Sequence, residues 1–463
     1  MTDFASLLAP DRGEPARTIH LVDKNSFEGW AKGQAPARRA LLEAMRFDGK
    51  TGYQYALLPA DGEHDVVTTV ADVDQLSPWC LARLGEALPA GTYRLASGDP
   101  GLAALGWMLG QHRFERYKST PPPERGPRVL LTAEAAGIDR LVRLAEATAM
   151  VRDLVDTPAA DLGPAELEAA ARALAGEFGA KVEVTHGDAL DTGFPMIAAV
   201  GRGASRDRAP RLIELVWGRD DAPRIAVIGK GVCFDSGGLD IKSAPGMRLM
   251  KKDMGGAAHA LALARLIMAE RLPVRLHLLV PAVENSVSGT AFRPGDVVAS
   301  RLGPKVEIDN TDAEGRLVLG DALAKAGEDN PELILDFATL TGAARIALGP
   351  DLPALFANDE PLAADLLASA GAVTDPVWRM PLWDGYDEML KSDLADVSNS
   401  ADSPMAGAVT AALFLRRFVP DGVAWAHFDT FAWRPTAKPG RPKGGEAMGL
   451  RAAFAMLHAR YGA

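Results

Sequence analysis

Cysteine is scarce: Cys80 and Cys233 are the two thiols of 463 residues and lie far apart. That count excludes a disulfide framework and fits a reducing compartment. No apolar run reaches the ~18 residues of a membrane span. The opening MTDFASLLAPDRGEPAR lacks the basic segment and long apolar core of a secretory signal. A cytoplasmic protein with no membrane partner is expected. Basic charge is not in excess either. A net charge of −11 argues against a general affinity for nucleic acid or anionic lipid. Three nucleotide and metal signatures are missing. Lys230 is followed by Gly231, so there is no phosphate-binding G-x-x-x-x-G-K-[ST]; Gly201-x-Gly203 lacks the third glycine of a dinucleotide fingerprint; and no His-Glu-x-x-His occurs. There is no internal repeat and no low-complexity tract.

What is present is an ordinary globular composition, 48% hydrophobic and 24% charged, on a chain long enough for two or three domains. Strand-like runs at Arg17–Val22, Gln54–Leu58, Val66–Thr69 and Thr92–Leu95 alternate with helical patterns at Ala37–Met45 and Gly101–Leu109. This predicts a small α/β domain. His20, His64 and His112 are scattered through it and form no constellation. Thr120–Pro127 reads as a loop and Arg128–Thr132 as an edge strand. Ile138–Val155 predicts a helix with Leu141, Leu144, Ala145, Val151, Leu154 and Val155 on one face, and Thr148 as its one polar member. The domain boundary is placed at the end of that helix. This gives an N-terminal α/β domain over 1–155 and a catalytic domain over 156–463.

In the second domain Pro164 opens a helix over Ala165–Glu177. Lys181–Thr185, Met196–Val200, Leu212–Trp217, Arg224–Ile228, Val274–Val280 and Leu333–Phe337 read as strands, the third pairing with the fourth across a charged turn. The alternation predicts a central, mainly parallel (mixed) sheet covered by helices. Ligands of such sheets sit beyond the carboxyl ends of the strands. Two loops fall on that edge: Ala338–Ala343, and the long stretch GKGVCFDSGGLDIKSAPGMRLMKKDMGG over Gly229–Gly256, which precedes a buried helix at Ala257–Ala269.

The second stretch carries Lys230, Asp235, Lys242 and Asp253. NTDAEGR at 310–316 adds Asp312, Glu314 and Arg316. Asp312 and Glu314 are two apart, so an extended segment would turn both to one side. Four carboxylates in one cleft would repel and protonate unless cations compensate. Two divalent ions would do so and would acidify a water held between them. Taken singly, each carboxylate is equally a surface group or a helix cap; the joint pattern favours the metal reading. Lys230, between two glycines after a buried strand, is either a lysine reaching out from a sheet end or a neutral amine ligand beside a dication. Cys233 reads as a small buried hydrophobe. His259 and His427 read as packed rather than ligating.

GKGVCFDSGG, DIK, KKDMGG and NTDAEGRLVLGDAL, in that order, resemble the leucyl aminopeptidase family of binuclear metallo-exopeptidases. DLVDTPAADLGP at 153–164, RLIEL, ATLTGA and GAVTAALFL extend the resemblance almost to the C-terminus. FERYKS at 114–119 is its chief trace in the first domain. SAPGM after Lys242 departs slightly from the family's common order there. The resemblance implies removal of N-terminal residues, leucine or other apolar residues, from peptide substrates. It implies two Zn²⁺ or Mn²⁺ ions per subunit. Lys230, Asp235, Asp253 and Glu314 match a tight metal site, and Asp235, Asp312 and Glu314 a more exchangeable one. Lys242 and Arg316 match a catalytic pair, the arginine carrying bicarbonate. Leu340 and Gly342 would hold the substrate backbone, while Met250, Asn310 and Thr339 would border the side-chain pocket. A homohexamer is implied as well. Two other classes fit parts of the pattern. A two-metal phosphoesterase also uses carboxylates, although the lysine ligand speaks against it. DNA binding, found in some bacterial relatives, is disfavoured by the acidic balance.

Overall fold

The computed structural model describes residues 2–60, 63–120 and 125–462. Positions 121–124 of the expected Thr120–Pro127 loop lie outside them. The chain forms two compact units. One covers residues up to Ala149 together with Thr436–Lys443; the other covers Met150–Pro435 and the residues from Gly444 on.

The first unit holds a six-stranded sheet. Its strands are β1 (Leu8–Pro10), β2 (Arg17–Val22), β3 (Tyr55–Ala60), β4 (Glu63–Thr69), β5 (Gly91–Leu95) and β6 (Arg128–Thr132), in the order β1-β6-β5-β2-β4-β3. The expected edge position of Arg128–Thr132 is corrected: β6 is interior, because Leu8–Pro10 pairs along its free side. The three histidines remain apart in packing and hydrogen-bonding roles. Thr2 Oγ1, for example, meets His112 Nδ1 at 3.1 Å. Thr436–Lys443 joins this unit by placing Gly440 N 2.7 Å from Glu86 Oε1 and the Arg441 guanidinium over Trp79.

The helix Ile138–Asp156 forms as its apolar spacing predicts. Its buried Thr148 donates its hydroxyl to the Leu144 carbonyl at 2.8 Å, so that hydroxyl is satisfied within the helix.

The second unit is built on a nine-stranded mixed sheet. Its early strands are β7 (Lys181–His186), β8 (Arg211–Trp217), β9 (Arg224–Gly229), β10 (Gly231–Asp235) and β11 (Arg275–Asn285). A small side sheet contributes β12 (Val297–Ala299), β13 (Lys305–Glu307) and β17 (Val397–Ser398). The main sheet continues with β14 (Leu333–Ala338), β15 (Ala354–Ala357), β16 (Trp378–Arg379) and β18 (Ala424–Asp429), in the order β16-β15-β18-β14-β9-β11-β8-β7. β18, β14, β9 and β11 are mutually parallel, and β10 adds to the end of β11. These central strands are apolar on both faces because helices such as Gly255–Ala269 and Glu314–Gly327 cover them.

Two strand expectations are corrected. Met196–Val200 lies in the helix Pro195–Gly201; Pro195 takes the first-turn position, and burial on every side erased the periodicity. Leu212–Trp217 does not pair with Arg224–Ile228, since the eleven-residue β11 lies between them and pairs with both.

Candidate metal centre

The site lies at the carboxyl ends of the parallel strands. β9 ends at Gly229, and Lys230 is fixed there by its own backbone. Its N–H donates to the Phe337 carbonyl at 3.0 Å, and its carbonyl accepts from Ala257 N at 2.8 Å. Glycines make the approach possible. A Cβ on Gly256 would stand 2.1 Å from Phe337 O, and one on Gly315 would stand 2.5 Å from the Lys230 stem. The Gly229 stretch is less irregular than expected. Gly231–Asp235 pairs with β11, and Met250–Met254 forms a 3₁₀ turn that carries Asp253 into the helix behind it. The extended geometry expected of Asp312 and Glu314 is also corrected. Asp312 sits in a turn held by Asn310 Oδ1, and Glu314 is the first residue of a helix. A carboxylate is favoured at such a helix start.

These elements bring the charged groups together. Lys230 Nζ lies 2.6 Å from Asp253 Oδ2 and 2.8 Å from Glu314 Oε1. Lys242 Nζ lies 2.7 Å from Asp235 Oδ2 and also meets Asp312 Oδ1. Oxygens of Asp235, Asp312 and Glu314 all lie within 4.8 Å of one another. Burial would lower Lys230, but the charges of Asp253, Glu314 and Asp235 override it and raise its pKa. Lys242 is raised by Asp235, Glu314 and Asp312 in the same way, against burial. Burial, then the Asp235 charge, pushes Glu314 up to about 8 and Asp312 up to about 6. Asp253 stays below the usual range despite burial, because Lys230 and Lys252 face it.

The donor set fits divalent ions. It is rich in carboxylate oxygen with one amine. Glu314 is buried, and among the described residues its Oε1 faces only the Lys230 ammonium while its Oε2 has no hydrogen-bond partner. Buried polar atoms are rarely left so, and a cation would satisfy them.

Neighbouring hydrogen-bond donors hold these carboxylates. Asp235 Oδ1 accepts from Gly237 N and from Asn285 Nδ2, each at 2.9 Å, and Asp253 Oδ1 accepts from Thr339 Oγ1 at 2.7 Å. Asp429, at the end of β18, accepts from Leu340 N at 3.0 Å and Thr341 N at 3.2 Å, fixing the loop after β14. The Leu340 amide is therefore engaged. Asn285 and Asp429 were not singled out from sequence. Both are polar residues closing apolar core strands, which is the signal that could have found them.

A cavity of about 580 Å³ opens over the centre, and Met250, Asn310, Thr339, Leu340 and Gly342 all line it. Arg316 reaches it nearly buried. It donates to the Asn399 carbonyl at 2.8 Å, forms no ion pair among the described residues, and leaves its Nε without a partner. Burial pushes it down to about 10. Burial likewise pushes Lys252 down to about 8, against the pull of Asp253.

The three singly weighed side chains lie elsewhere. Cys233 is wholly buried and its thiol is pushed up by desolvation. His259 meets the Gly255 carbonyl through Nδ1 at 2.7 Å and accepts from Met448 N at 3.0 Å. His427 meets Asp336 Oδ1 at 2.5 Å. Neither histidine lies in the cluster.

Residues 149–454 match the catalytic domain of the cytosol aminopeptidase family, and residues 18–126 match the N-terminal domain of M17 aminopeptidases. A relative from Roseiflexus castenholzii, named "Probable cytosol aminopeptidase", is 42% identical over 461 residues, covering 94% of this chain and 92% of its own. The crystal structure of cytosol aminopeptidase from Coxiella burnetii superposes with a TM-score of 0.92 at 45% identity, covering 98% of this chain and 99% of that one. The bottromycin maturation enzyme BotP, solved in complex with Mn, superposes at 0.85 with 32% identity, covering 99% of this chain and 100% of its own.

Proposed function

The chain belongs to the cytosol aminopeptidase family of metal-dependent peptide hydrolases, and from that premise we propose that it removes N-terminal residues at a two-ion centre. Lys230, Asp235, Asp253 and Glu314 would hold one ion. Asp235, Asp312 and Glu314 would hold the other. Bound divalent ions, Zn²⁺ or Mn²⁺, would supply Lewis acidity and a nucleophile at neutral pH. The observation that carries this reading is the buried Glu314 carboxylate, whose Oε2 has no partner among the described residues, beside the lysine-paired Asp235 and Asp253.

The chain's own groups do the rest. Lys230 can be a ligand only as a neutral amine, so ion binding replaces its proton. Lys242, an ammonium aimed into the cavity, stabilises negative charge as it develops on the scissile carbonyl oxygen. Arg316, with no carboxylate partner, grips a planar anion; bicarbonate there would relay a proton. The Leu340 carbonyl and Gly342 position the peptide backbone. Met250 and Thr339, with Asn310 at the rim, border the pocket for the first side chain, which would take leucine and other apolar residues.

The test is hydrolysis of leucine p-nitroanilide beside its N-acetyl derivative, after chelation and after adding back Mn²⁺ or Zn²⁺. Metal-restored cleavage of the free-amine substrate alone is expected. Equal cleavage of both, or full activity without metal, would overturn the reading. A homohexamer in the cytoplasm is part of the same proposal, and a stable monomer on a sizing column would contradict the assembly.

A further inference from the structure

Three of the cations lining the cavity have a close partner. Lys230 and Lys242 are each paired with two carboxylates, and Arg316 donates to a carbonyl. Lys252 and Arg345 do not follow this pattern. Lys252 is 4% exposed and lines the cavity, yet its ammonium makes no hydrogen bond among the described residues. Its one ion pair is a long 3.8 Å to Asp253 Oδ1, an oxygen already taken by Thr339. Arg345 is exposed, lines the same cavity, and has no ion pair or hydrogen bond through its guanidinium among the described residues. Both lie over one ring. Lys252 Nζ is 5.2 Å and the Arg345 guanidinium carbon 4.8 Å from the centroid of Phe431. An aromatic face steadies cations but does not neutralise them. Two like charges sharing one apolar platform repel unless an anion joins them.

We propose that this wall is a carboxylate-recognising extension of the first-residue pocket, in which Lys252 and Arg345 admit N-terminal glutamate, and less readily aspartate, alongside apolar residues. The proposal rests on the aminopeptidase reading of the same site. The first residue is favoured over a more distant carboxylate because Lys252 directly precedes Asp253 in the ligand cluster. A carboxylate held there must therefore lie near the substrate's amine end. Glutamate is favoured over aspartate because its methylenes can cross Met250 and the Phe431 face before the charge reaches the cations. The cluster's own carboxylates do not oppose this, since Lys230, Lys242 and bound ions compensate them, and Asp429 is spent on the Leu340–Thr341 amides. Lys252 and Arg345 act as specificity residues and take no part in bond breaking.

The metal-loaded full chain would be assayed on the p-nitroanilides of glutamate, glutamine and leucine. Glutamine matches glutamate in size without its charge. These substrates have no C-terminal carboxylate, so any effect belongs to the first residue. A charge-assisted contact of this kind predicts a glutamate-to-glutamine ratio of kcat/KM of roughly tenfold or more, collapsing by a similar factor in Lys252→Met and in Arg345→Met. Calorimetric binding of L-glutamate against L-glutamine should show the same order without turnover. A ratio at or below one, with the leucine substrate cleaved, would overturn this proposal alone. So would a ratio that neither variant changes. If the variants instead erased only a preference for Leu-Gly over its C-terminal amide, the carboxylate would belong to the peptide's end and the first-residue assignment would fall. Cleavage of none of the arylamides would overturn the underlying aminopeptidase reading and this proposal with it.

Discussion

Replacing Lys242 by methionine separates chemistry from ion binding. The Lys242 ammonium is 2.7 Å from Asp235 Oδ2 and touches Asp312, and its side chain is 16% exposed. Burial opposes its charge, but three carboxylates override burial and raise its pKa, so it remains an ammonium at any working pH. Methionine keeps most of the stem and removes only the charge. Losing one preorganised donor to a developing oxyanion costs about 10²–10³ in kcat, or roughly 2.7–4 kcal/mol. Ion affinity should not fall, because Lys242 competes with cations for Asp235 and Asp312. The assay is steady-state hydrolysis of leucine p-nitroanilide by protein of measured ion content. A normal ion load, KM within a few-fold and kcat down at least ~10²-fold are expected. Full turnover by the loaded variant would refute the reasoning. So would an ion-free variant, because Lys242 would then be a structural counter-charge.

Other outcomes follow from the same interactions. Glu314 must be ionised to bind a cation, and burial pushes its carboxyl up to about 8. Ion affinity should therefore fall as pH drops through about 8, by about tenfold per unit for each proton displaced. Titration calorimetry in buffers of different ionisation enthalpy would read the proton release, and a flat affinity between pH 6 and 8 would contradict it. Glu446→Gln removes the charge that Arg152 Nη2 meets at 2.9 Å in a nearly water-free setting. Stability should drop by about 3–5 kcal/mol, read as a lower denaturant midpoint; an unchanged midpoint would show that the pair is dispensable. Cys233 should resist thiol reagents in the native protein and react after unfolding, its thiol being buried and pushed up. Rapid native labelling at that residue would argue against the packing of β10.

The cluster was legible because its members sit where a parallel sheet exposes chemistry. Lys230 and Thr339 each directly follow a core strand whose apolar run is plain in the sequence, and Asp235 ends β10, a strand hidden within the glycine-rich stretch. Lys252 and Arg345 were not legible as a pair. They are 93 positions apart, and only the ring of Phe431 unites them. The strand–helix alternation gave the α/β class, while pairings escaped it. A short charged turn between Arg211–Trp217 and Arg224–Gly229 suggests a hairpin, yet the register is decided by β11, which enters from far along the chain. Within Pro195–Gly201 every residue from Met196 on is buried, so neither a period of two nor of 3.6 survives in the sequence. Asp312 and Glu314 share one cavity through a turn and a helix start, a geometry that residue spacing alone does not distinguish from an extended run.

The most direct test is to follow hydrolysis of leucine p-nitroanilide while Mn²⁺ is returned stepwise to the chelated protein, with bound ions counted per chain. Activity that is absent at the start and rises to a plateau as two ions bind is the predicted result. Hydrolysis at zero bound ions, or two bound ions with no hydrolysis of this free-amine substrate, would contradict the assignment of this centre to N-terminal peptide hydrolysis.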